Sequence, residues 1–398
     1  MANILLISYY FPPLNTVACR RVYALARQLQ DKGHRIFILT ADIPSNKIMR
    51  TFNADISSLE VHRVKYFDPR ILINKFFNAH GGRLENPRAA LWERVVRLGY
   101  SLFLGRGILY GSSRMPNFSD LWFWPAYRVA KDIIRSKNIE VVVTSSPPPI
   151  VNLIGLSLKR KFKQIVLFAD FRDLWTQNPT QKGLFPFTLL EAYWERQLFS
   201  QSRTITVTSE VWRKWLKHKF GLGDNQVIFM PNGYDIEPGF NTGGLQESSA
   251  SGVCKRVIYA GTLYKERRDP EPIFKAIARQ MEYFRGRLEV CFYGGLETGM
   301  IIEECLRKYP ATRQIIRYGG FISSEFIMQE QLKSDVLIFI ERDSEDDGTL
   351  PAKIFEYIAF LKPIICVGIG SSSYVGNFLD RSGLCVFCGN DVNKIAQV

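Results

Sequence analysis

The stretch 346-DDGTLPAKIFEYIAFLKPIICVG-368 places Lys353 and Glu356 three residues apart, after a Gly-Thr-Leu-Pro turn and before an apolar run of strand length. On a helix this spacing puts both side chains on nearly the same face, with Glu356 about 4.5 Å further along the axis. Thr349 can cap such a helix and Pro351 fits its first turn, leaving backbone N–H groups that favour an anion. The segment Thr349, Leu350, Pro351, Ala352 and Lys353 would then hold phosphates, and Glu356 would accept from both hydroxyls of a ribose. That chemistry suits a nucleotide sugar. A surface ion pair at this spacing would be worth only about 0.2–0.5 kcal/mol, so the site reading is preferred.

A second segment, 260-AGTLYKERRDPEP-272, sets Gly261 and Thr262 at the end of an apolar strand, followed by Lys265, Arg267 and Arg268. Asp269 suits a helix N-cap and Pro270 a first helical position, so the helix start does not need the basic residues. A guanidinium at a strand end can grip a diphosphate through two parallel hydrogen bonds. The alternative is a solvated basic loop. In 169-ADFRD-173, Arg172 and Asp173 end another strand, as a polar pair that orients an acceptor or a donor sugar or, equally, as a buried structural ion pair.

Metal and redox chemistry find little support. The seven cysteines are scattered, and Cys385 and Cys388 form a lone CxxC with no second pair and no nearby histidine. The four histidines have no ligand spacing and no Asp-x-Asp element is present, so neither metal nor cofactor is expected. No GxGxxG follows a strand, which argues against a dehydrogenase. The odd cysteine count suits a reducing compartment.

A chain of 398 residues fits two domains. No apolar run is long enough to span a bilayer, and MANILLISYYFPPLN lacks the flanks of a signal peptide, so a cytoplasmic location is expected. The formal net charge is +14, and residues 61–140 hold fourteen Lys/Arg against six Asp/Glu. The same segment carries Trp92, Leu98, Tyr100, Phe103, Leu104, Ile108, Leu109, Trp122 and Trp124, with 159-KRKFK-163 beyond it. Basic residues interleaved with large apolar ones suit an anionic membrane surface better than nucleic acid, with a solvated insertion at about 66–125 as the alternative.

The elements that must position these residues follow an α/β rhythm. NILLIS, the helix VACRRVYALARQLQDKG and RIFILTA form a βαβ unit with a right-handed crossover. VHRV, EVVVTSS, QIVLFADF, TITVTS and QVIFMPN continue as strands separated by helices, giving a doubly wound domain over 1–235. Residues 236–254, rich in Gly and Ser, read as a linker. Alternation restarts with RVIYAGT, the helix DPEPIFKAIARQMEYF, LEVCFYGG, IIRYGGF, DVLIFIE and PIICVG, giving a second such domain over 255–398. The expected class is α/β, two Rossmann-like doubly wound parallel-sheet domains facing across a cleft.

LPAKIFEYIAFLKPIICVG resembles the donor-site segment of retaining glycosyltransferases of family 4, which have GT-B architecture, and especially those of bacterial surface-polysaccharide synthesis. The likeness extends to YYFPPLNTVACRRVYALARQL, VVVTSSPPPIVNLIGLSLKRK, ADFRDLW, VIFMPNGYD and YAGTLYKERRDPEPI. Three departures stand out. Many members carry two glutamates separated by seven residues; Glu356 matches the second, but Gly348 stands eight positions before it, leaving Glu341, Glu345, Asp346, Asp347, backbone or nothing to act for the first. A Gly-Gly common in the first, acceptor-side loop is replaced by Asn15-Thr16-Val17-Ala18. The helix that closes the family's fold is expected to be short or absent after LCVFCG.

The resemblance implies transfer of a sugar from a nucleotide-diphosphate donor, with retention, to an acceptor held by the first domain, most economically a lipid-linked saccharide. It implies Arg268, Lys353, Arg172 and Asp173 at the reacting centre, and Gly261, Thr262, Arg267, Thr349, Leu350, Pro351, Ala352 and Glu356 around the donor. Fixed cations then stabilise the leaving diphosphate without a metal. Two alternatives are a nucleotide-sugar epimerase of the same architecture and a non-catalytic scaffold that binds a nucleotide sugar.

Overall fold

A computed structural model describes residues 1–43, 52, 54–68, 114–178, 181, 183–233, 254–342 and 348–398. The chain divides into two units, Met1–Pro231 and Asn232–Val398. Residues 236–253 of the 236–254 segment read as a linker, most of the 66–125 insertion and the acidic candidates Glu345, Asp346 and Asp347 lie outside the described residues.

The first unit is built on a seven-stranded sheet in the order β3-β2-β1-β4-β5-β6-β7, every pair parallel. Its strands are β1 (Asn3–Ser8), β2 (Arg35–Ala41), β3 (Glu60–Val64), β4 (Val141–Ser146), β5 (Val166–Phe171), β6 (Thr204–Val207) and β7 (Val227–Phe229). The helices are α1 (Val17–Asp31), α2 (Phe123–Ser136), α3 (Ile150–Lys161), α4 (Phe187–Gln201) and α5 (Glu210–Phe220). NILLIS is apolar at nearly every position because both faces of β1 are covered: Leu5 and Ile7 enter one core cluster, Ile4 and Leu6 another. Val22 and Ala26 of α1 join the second cluster, while Ala126, Ile154 and Leu198 of α2, α3 and α4 join the first. Thr16 caps α1 by accepting from Cys19 N at 3.2 Å, and the chain leaves the helix through Gly33 at φ +84°.

The second unit is a six-stranded parallel sheet, β10-β9-β8-β11-β12-β13. The strands are β8 (Lys255–Ala260), β9 (Leu288–Tyr293), β10 (Ile316–Gly320), β11 (Val336–Ile340), β12 (Ile364–Val367) and β13 (Cys385–Gly389). The helices are α6 (Glu271–Arg279), the single turn α7 (Met281–Phe284), α8 (Leu296–Lys308), α9 (Ser324–Lys333), α10 (Lys353–Ala359), α11 (Tyr374–Asp380) and α12 (Val392–Gln397). Val257, Phe274, Phe292, Ile302, Ile338 and Val367 are in its core. The single helix expected over 269–284 is two, broken at Gln280, whose φ of −126° is not helical. The short α12 ends the chain and packs on α6, with Arg279 donating to Asn393 at 2.9 Å. Helix α11 was not foreseen: its seven residues are too few for a clear apolar period.

Candidate functional site

In the second unit, β8 and β11 are neighbours, but the chain leaves them in opposite directions, to β9 and β10 on one side and β12 and β13 on the other. Loops that diverge in this way open a crevice at the carboxyl end of a parallel sheet, the usual ligand position. The loop after β8 carries Gly261 to Arg268; the chain after β11 carries Glu341, then Gly348 and Thr349, and leads into α10.

Helix α10 is pinned against β8 by two side chains four residues apart. Tyr357 is fully buried and its hydroxyl accepts from Ala260 N at 3.4 Å. Lys353 donates to the Tyr259 hydroxyl at 3.3 Å, with its Nζ 4.6 Å from that ring's centroid, and Tyr259 donates on to the Thr262 carbonyl at 3.1 Å. Gly261, at φ +145°, is the residue the lysine passes: a β-carbon there would stand 2.5 Å from Nζ. The Lys353 ammonium is pushed down to about 7, by burial first and by the Arg268 guanidinium second, with Glu341 and Glu356 acting the other way. An arriving diphosphate would favour its charged form.

Arg267 and Arg268 are held by one carboxylate. Glu341, at 3% exposure, accepts from Arg267 Nε at 2.9 Å on one oxygen and from Arg268 Nε and Nη2 at 2.9 and 2.8 Å on the other. Arg268 also directs Nη1 toward the Thr262 carbonyl at 3.4 Å and lies over Tyr264, 5.7 Å from the ring centroid. It therefore ties the loop together, whereas Arg267, at 34% side-chain exposure, borders a recess. That recess also brings in Thr349 and Gly348, both singled out by sequence, and Arg342, Ile369 and Tyr374, which were not. Counting Arg267, Arg268, Arg342 and a protonated Lys353 against Glu341 and Glu356 leaves a net charge of at most about +2 among the described residues. The site is less cationic than its sequence suggests.

Several expectations need correction. Thr349 does not cap α10: Ala352 occupies that position with helical φ and ψ and no side-chain cap. The first-turn amides of Ile354 and Phe355 are already bonded, to the carbonyls of Pro351 and Ala352 at 3.1 and 3.2 Å, so they are not directed at an anion. Leu350 is buried beside the helix rather than open to a ligand, while Pro351 and Glu356 are half-buried. Helix α6 starts one residue later than expected: Pro270, not Asp269, is at the N-cap position, and Asp269, one residue before it, accepts from Glu271 N at 2.9 Å. Gly348 sits at φ +58° and is buried, a left-handed position that a glutamate would occupy only with strain. Of the acidic candidates among the described residues, Glu341 faces the recess, with both oxygens engaged by arginine.

In the first unit Asp173 acts on Arg172 electrostatically, while the hydrogen bonds of Arg172 go to carbonyls. Arg172 is buried and donates to the carbonyls of Ser146 and Pro147. The buried ion pair joins Asp170 to Arg21 of α1, through Nε at 3.1 Å and Nη2 at 2.7 Å. Asp170 also accepts from Ser145 and Thr206, each at 2.7 Å, and Arg21 reaches the carbonyls of Met230 and Pro231 at 2.9 and 2.8 Å. Burial alone would raise the Asp170 carboxyl; Arg21, Ser145 and Thr206 hold it below the ordinary value. Thr16, foreseen as an acceptor-side residue, is engaged as the cap of α1, and Asn15 accepts from Arg20 at 3.4 Å.

Among the described residues no group of three His, Cys, Asp or Glu could hold a metal ion, and no helix is long and apolar enough to cross a membrane.

No curated protein matches the sequence. Solved structures similar to it include sucrose-phosphate synthase from Thermosynechococcus elongatus, at TM-score 0.58 and 13% identity over 100% of this chain and 88% of that one. Anabaena HepE in complex with UDP and glucose is similar at TM-score 0.55 and 10% identity, over 100% and 88%. A protein described as a UDP-N-acetylglucosamine 2-epimerase from Listeria monocytogenes follows at TM-score 0.52 and 10% identity, over 100% and 86%. At such identity the likeness shows the fold alone: two Rossmann-like domains of the GT-B kind, shared by enzymes of different activity. Residues 18–238 match the model of Glycosyltransferase Family 4, and with more than half of its length covered the chain belongs to that family.

Proposed function

We propose that the protein is a retaining glycosyltransferase that moves a sugar from a nucleotide-diphosphate donor to a lipid-linked saccharide, in the synthesis of a surface polysaccharide. The second unit binds the donor. The observation that carries this reading is that Lys353 stands against Gly261 and feels Arg268 at the reversal of strand order in the second sheet, with Arg267 held on the same carboxylate as Arg268. Lys353 and Arg267 meet the charge that grows on the leaving diphosphate, Arg268 and Glu341 keep Arg267 in place, and Glu356 takes the ribose hydroxyls. Side-chain cations then serve where other transferases use a metal. Arg172 and the Asp170–Arg21 pair shape the acceptor side from the ends of β4, β5 and β6. With its basic balance the enzyme works at the cytoplasmic face of the membrane, where lipid-linked acceptors are presented.

The test is a thermal-shift screen of nucleotide sugars, since a bound donor stabilises by mass action, followed by incubation of the stabilising donor with lipid-linked acceptors. Product of retained anomeric configuration supports the proposal. The engagement of both arginines by Glu341 favours one second reading, a scaffold that binds the donor without turning it over; it would show the shift but neither transfer nor donor hydrolysis. An isomerised sugar formed without acceptor would instead indicate an epimerase.

A further inference from the structure

The first turns of helix α4 direct carboxylates inward and apolar groups outward. Its buried positions include Glu191 and Glu195, while Leu189 and Tyr193, four residues apart on one stripe, are 63% and 54% exposed. Phe185, just before the helix, is 75% exposed, and Leu190 also faces solvent. The inward carboxylates are accounted for. Glu191 accepts from Arg114 Nε and Nη2 at 2.9 and 2.7 Å, from Met115 N at 2.9 Å and from Trp175 Nε1 at 3.0 Å. Glu195 accepts from Gln177 at 2.8 Å and from the amide and hydroxyl of Thr176. This network anchors the chain that follows β5 and leaves the apolar side of α4 to be covered by something else. Leu198 and Phe199 anchor the last turn of α4 in the core, but over the turns before it an outer Leu and Tyr stripe over inward, hydrogen-bonded carboxylates departs from the usual arrangement of a surface helix.

A second exposed apolar group lies at the same end of the same layer. Helices α2, α3 and α4 pack side by side on one face of the sheet. Helices α2 and α4 end just before β4 and β6, and so begin near the carboxyl edge. Trp124, in the first turn of α2, is 64% exposed, beside Phe123 and Tyr127, and Leu121 next to it is exposed as well. Arg114 and Met115 tie this segment to α4 through Glu191. Behind the apolar groups the outward charges are mainly positive: Arg128, Arg135, Arg160, Lys161, Lys163 and Arg196 are exposed, against Asp132 and Glu140.

We infer that the outer face of α4, with Leu121 and Trp124 of the α2 segment in the same layer, rests on an anionic lipid bilayer. Aromatic and aliphatic groups enter the interface and Arg128 and Arg196 meet lipid phosphates, the pairing that peripheral attachment requires. The inference specifies a surface for the membrane part of the function proposed above and does not depend on sugar transfer. It also differs from the sequence expectation in its residues: Trp122 is fully buried, while Phe185, Leu189 and Tyr193 lie outside the basic segment that suggested lipid.

The experiment is flotation of the full chain with vesicles of phosphatidylcholine alone or mixed with phosphatidylglycerol, comparing wild type with Leu189→Ser/Tyr193→Ser, Arg128→Glu/Arg196→Glu and the conservative Leu189→Phe. Thermal stability and nucleotide-sugar binding are measured in parallel. Wild type and Leu189→Phe should float with the anionic vesicles, and each double variant should lose about tenfold in partition, with stability and donor binding unchanged. Equal flotation of wild type and the serine variant overturns the surface. So does a serine variant that unfolds several degrees earlier, because the face is then covered by protein. Flotation by wild type and its loss in the double variants, with donor binding absent from every form, would leave the membrane surface standing and defeat the proposed transfer.

Discussion

The Nζ of Lys353 lies where residue 261 has no room for a side chain: a β-carbon on Gly261 would be 2.5 Å from it and 3.3 Å from Cε. The glycine and the lysine, on different elements of the second unit, form one feature of the site. Gly261→Ala should therefore displace the ammonium and weaken nucleotide-diphosphate binding about tenfold, with a stability cost of about 1–3 kcal/mol from the backbone at φ +145°. If the two residues act together, adding Gly261→Ala to Lys353→Ala changes binding little further. Titration calorimetry with the nucleotide on both single variants and the double variant reads this directly.

Lys353 itself predicts a pH dependence. Its ammonium titrates near 7 in the folded protein against an ordinary 10.5. The unfolded chain therefore binds more protons between those values, and stability rises with pH across that window. Lys353→Met should be more stable than wild type at pH 6 by roughly 1–3 kcal/mol, a figure reduced for partial exposure, and the gap should close as pH approaches 10. Nucleotide affinity should run the other way: in wild type it falls above pH 7, by up to about tenfold per unit, and in Lys353→Met it is flat. Urea denaturation and binding measured from pH 6 to 9 would expose a mismatch.

Glu341 predicts a separation of effects. Glu341→Gln keeps the shape but removes the charge that holds Arg267 and Arg268, and should cost about 1–3 kcal/mol, below the range for a fully buried pair because both arginines are partly exposed. Arg267→Gln should leave stability nearly unchanged and weaken the nucleotide. Arg268→Gln, which also removes the link to Thr262, should lower stability. If Arg267 and Arg268 variants behave alike in both assays, the division of labour is wrong.

In the first unit, Asp170→Asn leaves Arg21 buried without its charge partner and should cost about 3–5 kcal/mol. Because the Asp170 carboxyl is held below its ordinary value, its contribution is present above about pH 4 and is lost as pH falls through the folded value. Acid unfolding monitored by tryptophan fluorescence should begin at higher pH in a Thr206→Val variant, which lacks one of the three donor residues.

Much of the fold was legible. Runs such as NILLIS and VLIFI announce strands, and Gly33 marks the end of α1. The segments that meet at the candidate site were legible because Lys353 and Gly261 occur in recognisable local contexts. What escaped were partners far apart in the chain. Arg21 and Asp170 are separated by 149 positions, and Arg268 and Glu341 by 73. Nothing local distinguishes Arg21 from Arg20, and Glu341 was one of four acidic alternatives. The misread start of α10 has a different cause. Pro351 and Ala352 turn tightly enough to take the first amides for themselves, so the helix begins one residue after the alanine rather than at the threonine.

By itself the sequence determined the α/β alternation, the two domains' class and the segments from which a phosphate site could be built, since these follow from short-range periodicity and turn chemistry. Only the tertiary structure decided which charges meet. Whether an arginine faces a phosphate, a carboxylate or a carbonyl depends on the strand order that brings loops together, and in α4 the same cause turned the glutamates inward. A buried carboxylate needs several donors at once, and those of Glu191 come from Arg114, Met115 and Trp175, which only the folded chain brings to one place.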